Sequence, residues 1–302
     1  MSVKIIADSG CDLTVECAES AGIELVPFHV QFYEEGNVVE YTYDEDISAE
    51  QFYLKLESAA EQPRASQPSP REFLCAYKKN SSYDEIICLT VTSRMANTLD
   101  SAKTAAALYA DERARTGGGH MPVIRAFDTQ NCSGGATLLA LHAAQMAKDG
   151  KNSAEIIASL TKLRSRVMTL FVLDTYHYAL KAGRTGGIKP RLGEILGIKP
   201  VFTFADGFAR DEDFIKSGSR VNQWMVDAYR KKAWEGSTAV IFHALAAERA
   251  QELERELKAS FADIETLILP VGAFVGVFTG PGCLGLSFFM GEELCKESVA
   301  SG

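Results

Sequence analysis

The sequence lacks any apolar run close to the roughly 20 residues that a membrane-spanning helix requires. It also lacks a block of lysine and arginine, and its formal net charge is −9, from 31 basic and 40 acidic residues. Because nucleic-acid binders present a basic surface, this charge balance argues against a nucleic-acid partner. The chain opens on strand-like residues at 3–7, and we expect no signal peptide.

Cysteine and histidine are scarce and scattered. The seven cysteines are odd in number and include no Cys-x-x-Cys pair, and the five histidines stand apart from one another. This pattern is typical of reduced thiols in a cytoplasm, and it fits neither a disulfide framework nor a zinc site. We therefore expect a cytoplasmic protein without a metal ion.

Standard catalytic and nucleotide-binding signatures are absent. The sequence has no Gly-x-Ser-x-Gly elbow, no Walker loop, no Gly-x-Gly-x-x-Gly following a strand and no His-Glu-x-x-His. Asp8 and Asp12 are a candidate carboxylate pair, but a turn residue and a helix cap explain them more simply. Since no nucleophile can be paired with a base, we expect no cofactor and no enzymatic activity.

The length and the order of elements predict two domains. At 302 residues the chain is long for one core. A strand ends in a small polar loop that opens a helix at 8–12, 93–98 and 128–135, which predicts a parallel α/β domain over 1–166 with these loops on one sheet edge. From 167 to 302, a hairpin signal at Asp206-Gly207 mixed with helices predicts an α+β domain with a mixed or antiparallel sheet. The segment 272–282 receives no assignment.

The stretch 64–73 combines an extended segment with a helix start. Ser69 is the predicted N-cap, Pro70 the first helical residue, and Glu72 the partner in a capping box. Gln-Pro pairs before the cap keep the backbone extended, because the residue before a proline avoids the helical region. The positive end of this helix, predicted over 70–81, suits an anionic or hydrogen-bonding ligand, and an ordinary capped helix remains the alternative.

Several short motifs, in this order, resemble those of the DegV family of bacterial fatty-acid-binding proteins, and the resemblance covers nearly the whole chain. They are Ala7-Asp8-Ser9 with Asp12-Leu13, Ser66-Gln67-Pro68-Ser69-Pro70, the segment 90–102, Asp128, Ser133-Gly134, Asp174-Thr175, Ala182-Gly183-Arg184, Ile198-Lys199-Pro200 and Thr279-Gly280-Pro281-Gly282. The resemblance implies a parallel α/β domain, an α+β domain and a lipid buried between them.

The same resemblance implies a function as a carrier. Such a protein binds a long-chain fatty acid or related lipid and presents it to a separate kinase subunit, and the resemblance allows transient contact with a membrane surface. The resemblance implies ligand-binding positions at Ala65, Ala96 and Phe278, and we add the neighbouring polar residues Ser66, Ser93, Asn97, Thr98 and Thr279 as candidates. We expect the segments 64–69 and 278–282 to lie within about 15 Å of each other, roughly the rise of ten helical residues.

Three positions depart from the family pattern. Ala65 stands where the family has threonine, Ala96 where it has serine, and Phe278 where it has histidine. In the family these three side chains hold the fatty-acid carboxylate. A hydrogen bond to a charged group contributes about 1.5–3 kcal/mol, so losing two or three costs about 3–9 kcal/mol, or roughly 10²- to 10⁶-fold in affinity.

These departures leave open which ligand the site prefers. Replacement donors are available at Ser66, Ser93, Asn97, Thr98 and Thr279. One alternative to the carrier is a scaffold or regulatory relative that no longer delivers fatty acid. The other, which has less support, is a small-molecule enzyme that uses Asp8, Asp12 or Asp128.

Overall fold

The computed structural model describes residues 1–117, 119–182, 199–216 and 218–291. The strands are β1 Val3–Asp8, β2 Ile23–Val26, β3 His29–Glu34, β4 Asn37–Thr42, β5 Arg64–Ser66, β6 Glu85–Thr90, β7 Val123–Asp128, β8 Val167–Val172, β9 Lys199–Ala205, β10 Phe208–Ile215, β11 Ala239–His243, β12 Thr266–Pro270 and β13 Leu284–Phe289. The helices are α1 Val15–Ala21, α2 Ala49–Ser58, α3 Pro70–Lys79, α4 Thr98–Arg115, α5 Ser133–Lys148, α6 Ser153–Arg164, α7 His177–Lys181, α8 Val221–Lys232, α9 Ala247–Ser260 and α10 Ala273–Thr279. Short 3-10 turns lie at Ser9–Cys11 and Gly218–Arg220.

A four-stranded parallel sheet occupies the first half, in the order β2-β1-β6-β7. Strand β6 is buried along its whole length and pairs with β1 on one side and β7 on the other. Its run of apolar residues predicts this central position, since parallel strands are covered on both faces. The predicted parallel sheet is therefore confirmed, and the three predicted loops lie at its carboxyl edge.

A small antiparallel sheet follows the first parallel pair, in the order β4-β3-β5. The sequence indicates one strand over 23–30, but the structure ends β2 at Val26 and begins β3 at His29. Pro27 lies in the gap, where its missing N–H and fixed φ interrupt a ladder. Strand β5 pairs with β3, so Ala65 lies opposite Val30.

The second half forms a six-stranded mixed sheet in the order β10-β9-β8-β13-β11-β12. Of its pairs only β11 with β12 is parallel. The hairpin predicted at Asp206-Gly207 joins β9 to β10, with Ala205 opposite Phe208. The predicted fold class, a parallel α/β part followed by a mixed-sheet part, is confirmed.

Helix α5 packs against both large sheets. It contacts β1 of the parallel sheet and β8, β11 and β13 of the mixed sheet. Its residues 133–140 are all buried, and most of them are small or apolar. A helix that is apolar all round belongs between two layers. The division at residues 166 and 167, just before β8, stays a prediction, since α5 joins the two halves.

Two further segments differ from their predictions. Helix α10 lies in 272–282, where the sequence analysis assigns no element; its residues are almost all buried, so it lacks the polar face that marks an amphipathic helix. Helix α7 covers only part of the helix predicted over 175–183. The family-like residues Gly183, Arg184 and Ile198 lie outside the described residues. Within the described ranges, no helix is both long and apolar enough to cross a bilayer.

We predict that Gly135→Ala destabilises the protein. A Cβ at Gly135 would overlap the side chains of Asn131 and Thr169, which hydrogen-bond each other at 2.8 Å. Overpacking costs about 1–3 kcal/mol, and we expect a cost near the upper end because the overlap involves two buried side chains. That cost outweighs the gain of about 1 kcal/mol in helix propensity. The free energy of unfolding, measured by urea denaturation, should fall by about 1 kcal/mol or more. Gly291→Ala is the control, because a Cβ there meets nothing within 4 Å; equal stability of the two variants would contradict the prediction.

Candidate functional site

A cavity of about 520 Å³ lies where the carboxyl edge of the parallel sheet meets α10 and the turn between β9 and β10. Five of the eight predicted site residues line it: Ala65, Ser93, Ala96, Asn97 and Phe278. Three separate segments of the chain contribute these five residues. Strand β5 supplies Ala65, the loop between β6 and α4 supplies the next three, and α10 supplies Phe278. The expected proximity of the two segments holds, since Cα atoms of β5 and α10 come within 8 Å of each other.

The other three predicted residues do not line this cavity. Thr98 and Thr279 are buried, at 0% and 2% exposure, in the first turn of α4 and the last residue of α10. Ser66 is half-buried in β5 and lies opposite His29 of β3. The alternation of a strand explains this placement, because neighbouring side chains point to opposite faces and Ala65 takes the cavity side.

One wall of the cavity is aromatic. The rings of Phe28 and Phe274 have centroids 4.5 Å apart, and Phe278 meets Phe274 edge-on at 6.5 Å. Phe208 and Ala209 add apolar surface from the β9–β10 turn. Such a wall favours an apolar ligand through burial alone and offers it no hydrogen bond.

The hydroxyl and the backbone N–H of Ser93 are already hydrogen-bonded to Asp128. Its hydroxyl donates to Asp128 Oδ2 at 2.6 Å, and its backbone N–H donates to the other carboxylate oxygen at 3.3 Å. A serine hydroxyl has one proton, so this oxygen is left to accept hydrogen bonds. The sequence analysis proposed Ser93 as a replacement donor for a carboxylate, and this geometry argues against that role.

Two polar lining residues were missed by the sequence analysis. Gln67 accepts a hydrogen bond from the backbone N–H of Asn97 at 2.7 Å, which leaves its amide N–H groups as donors. Arg94 is the one charged residue among those that line the cavity. Both lie inside segments that the sequence analysis quoted as family-like, but adjacency in sequence gave no sign that they face the same space as Phe278.

The β9–β10 turn is attached to the loop between β6 and α4. The hydroxyl of Thr92 donates to the carbonyl oxygen of Gly207 at 3.0 Å, and the Arg94 guanidinium lies 5.4 Å from the centroid of the Phe208 ring. Gly207 has φ +81°, and a Cβ there would collide with Thr92. A glycine at this turn position therefore permits both the backbone conformation and the close approach.

Two buried carboxylates hold the loops beside the cavity. Asp8 accepts from the backbone N–H of Val91 at 2.8 Å, and Asp12 accepts from that of Gly272, the N-cap of α10, at 2.9 Å. Burial raises the pKa of each carboxyl group to about 7, against the opposing effect of these hydrogen bonds. Buried carboxyls that bind backbone N–H groups act here as structural links.

A second cleft, of about 550 Å³, lies beside α1 and β2 and includes none of the eight predicted site residues. Among its charged residues, Lys79 lies 3.1 Å from Glu24. Across the described part of the chain, no three His, Cys, Asp or Glu side chains are placed to hold a metal ion. The first cavity is therefore the candidate site.

Because the pKa of Asp12 is raised, we predict that the stability of the folded protein decreases as the pH rises. An unfolded aspartate has a pKa of about 3.9, so between about pH 4 and pH 7 the unfolded chain binds fewer protons than the folded one. In that window the free energy of unfolding decreases as pH rises. Asp12→Asn cannot ionise, and its loss of stability from pH 5 to pH 8 should be smaller than that of wild type by about 1.4 kcal/mol or more.

Urea denaturation at the two pH values measures this difference. The matched control is Asp263→Asn, at an exposed aspartate, which should keep the pH dependence of wild type. Parallel pH profiles for wild type and Asp12→Asn would show that the Asp12 carboxyl does not remain protonated in the folded state.

Comparison with known proteins agrees with the fold. The family model described as uncharacterised protein of the DegV family matches residues 2–291. A DegV domain-containing protein of Deinococcus radiodurans is 28% identical over 292 residues, which cover 95% of this chain and 98% of the relative.

Two solved structures extend the likeness to three dimensions. A DegV family protein of Thermus thermophilus, described as binding fatty acid, has a TM-score of 0.83 and 25% identity, over 96% of this chain and 100% of its own. A DegV family protein of Ruminococcus gnavus, solved with vaccenic acid, has a TM-score of 0.82 and 25% identity, over 95% and 99%. The resemblance noted from the motifs is thus confirmed, and the chain belongs to the DegV family.

Proposed function

We propose that this protein is a carrier that binds a long-chain fatty acid or a related lipid in the 520 Å³ cavity beside Ala96 and Phe278. The observation that carries the proposal is the cavity itself, whose lining combines the aromatic rings of Phe28, Phe274 and Phe278 with polar groups at Gln67, Arg94 and Asn97. Its volume lies within the range of small-molecule sites, about 300–1,000 Å³. An amphipathic ligand with one charged or polar end matches this combination.

Known relatives support the same ligand class. The Thermus thermophilus protein is described as binding fatty acid, and the Ruminococcus gnavus protein was solved with vaccenic acid. Both share the fold over nearly the whole chain. The aromatic wall formed by Phe28, Phe274 and Phe278 supplies apolar surface for an acyl chain in this protein.

Burial of the acyl chain supplies most of the affinity in this proposal. A chain of about fifteen methylenes gains at most about 12 kcal/mol when fully buried, at about 0.8 kcal/mol per methylene. Association costs about 4–15 kcal/mol of lost freedom. The surplus is therefore small, and contacts to the polar end decide whether a given lipid binds tightly.

We infer further that the protein is not an enzyme but presents its ligand to a separate kinase subunit in the cytoplasm. No histidine, cysteine or lysine is among the residues that line the cavity, and Ser93 faces Asp128 directly, without an imidazole between them. The six described cysteines are unpaired, as in a reducing compartment. The second candidate, a scaffold that has lost fatty-acid delivery, is favoured by the missing donors at Ala65, Ala96 and Phe278.

Native mass spectrometry of the purified protein tests the carrier. We expect an acyl species that is released in organic solvent and whose mass identifies the lipid. Ala209→Trp places a large ring into the cavity and should abolish this species. Arg210→Trp is the matched control, because its side chain lies on the opposite face of the same strand and does not line the cavity. An empty wild-type protein that also fails to bind added oleate would support the scaffold.

Adding hydrogen-bond donors at the three departing positions should strengthen fatty-acid binding. We predict that Ala65→Thr, Ala96→Ser and Phe278→His, combined, raise the affinity of the delipidated protein for palmitate or oleate at least about tenfold, or 1.4 kcal/mol. The physical reason is that each new donor meets a carboxylate at one end of the same cavity. Calorimetric titration measures the change. Tight wild-type binding that the triple substitution leaves untouched would show that the site does not depend on these positions.

A further inference from the structure

We propose that Arg94 receives the charged end of the lipid, so that this site selects a free carboxylate over a neutral head group of the same chain length. The inference rests on the proposed function and adds the chemistry of the ligand's polar end. Arg94 is not among the eight predicted positions, although it lies inside the family-like segment 90–102. It follows from where the structure places the guanidinium.

Arg94 has no acidic partner within the described residues. None of their salt bridges involves it, although Asp128 is held nearby by Ser93. The other residues that line the cavity are uncharged. A guanidinium without a counter-ion at a cavity that is partly lined by aromatic rings attracts an anion more strongly there than in open water.

The position of Arg94 is fixed by the β9–β10 turn. The stem of the side chain packs on Gly207, where a Cβ would come within 3.0 Å of Arg94 Cγ, and the guanidinium lies over the Phe208 ring. Contact with a ring face occupies the flat side of the guanidinium and leaves its N–H groups, which lie in the plane, free to donate. A carboxylate can accept two parallel hydrogen bonds from such an edge.

Two amides stand on the same rim and add donors. The oxygen of Gln67 accepts from the backbone of Asn97, which turns the Gln67 amide into a donor toward any other partner. Asn97 is the N-cap of the 18-residue helix α4, and its side chain makes no capping hydrogen bond. The N-terminus of a helix favours negative charge, so α4 reinforces the preference set by Arg94.

Ser93 is a poor alternative to Arg94. Its hydroxyl proton is directed to Asp128, and a second carboxylate placed beside it would be repelled by the first. The three hydroxyl and imidazole positions of the family pattern carry Ala65, Ala96 and Phe278, which donate nothing. Among the lining residues, the guanidinium is therefore the group best suited to an anion.

The test compares two ligands that differ only in the polar end. Delipidated wild type, Arg94→Gln and Arg210→Gln are each titrated with oleate and with oleyl alcohol. We expect Arg94→Gln to weaken oleate binding at least about tenfold, equivalent to 1.4 kcal/mol, and to leave oleyl alcohol binding within about threefold. Arg210→Gln is the matched control, because Arg210 belongs to the same hairpin but pairs with Asp206 at 2.9 Å and does not line the cavity.

Two outcomes would overturn the assignment. Equal weakening of oleate and oleyl alcohol in Arg94→Gln would show that Arg94 only holds the turn through Phe208. Unchanged binding of both ligands would show that it has no part in recognition. Failure of the proposed function is distinguishable, because wild type would then bind neither ligand.

Discussion

The packing of α5 between two sheets is the constraint on which the rest of the structure depends. A helix buried between two sheets must be narrow where the packing is closest, and Gly134 and Gly135 provide that toward the mixed sheet: a Cβ on Gly134 would lie 2.9 Å from side-chain atoms of Phe242 and Ser287. This contact fixes the distance between the parallel and the mixed sheet. With that distance fixed, the loop after β6 meets the β9–β10 turn, and Thr92 reaches Gly207 across 115 residues of sequence. The cavity is the space that this meeting encloses.

Two buried carboxyl groups then hold the loops themselves in place. Asp8 and Asp12 sit at 1% and 4% exposure, where an ionised carboxylate is costly unless it is hydrogen-bonded. Each binds a backbone N–H that belongs to a wall of the cavity, through Val91 for the loop before α4 and through Gly272 for the start of α10. Backbone donors cannot be removed by side-chain substitution. These two aspartates therefore stabilise the loops around the cavity and are not among the residues that line it.

Sequence patterns predicted correctly those helices and strands that are determined by neighbouring residues in the chain. The capping box of Ser69 and Glu72 is present at the start of α3, and the apolar run of β6 gives a strand buried at every residue. Helix α10 was missed because burial on all sides removes the periodicity that sequence analysis depends on. Five of eight predicted positions share one cavity: Ser93, Ala96 and Asn97 lie in one loop at the sheet edge, and Ala65 and Phe278, which the family resemblance indicated, join them from β5 and α10. Arg94 was missed because the aromatic ring that it contacts, Phe208, belongs to the other sheet. No local sequence pattern predicts a contact between residues so far apart in the chain.

Apolar and polar residues of the cavity contribute differently to ligand binding, and this difference affects how a family can keep its fold and change its ligand. Apolar burial is nearly indifferent to which acyl chain enters, since it scales with area. Selectivity therefore resides in the few groups at the polar end, and those groups come from loops and one turn instead of from the sheets. Ala65, Ala96 and Phe278 have no hydrogen-bond donor in their side chains, and they line the cavity together with Phe28 and Phe274, while Asp12 holds the start of α10. In the proposal above, Arg94 takes over the charge from the loop that also carries Ala96, and its contact with Phe208 of the β9–β10 turn holds it in place.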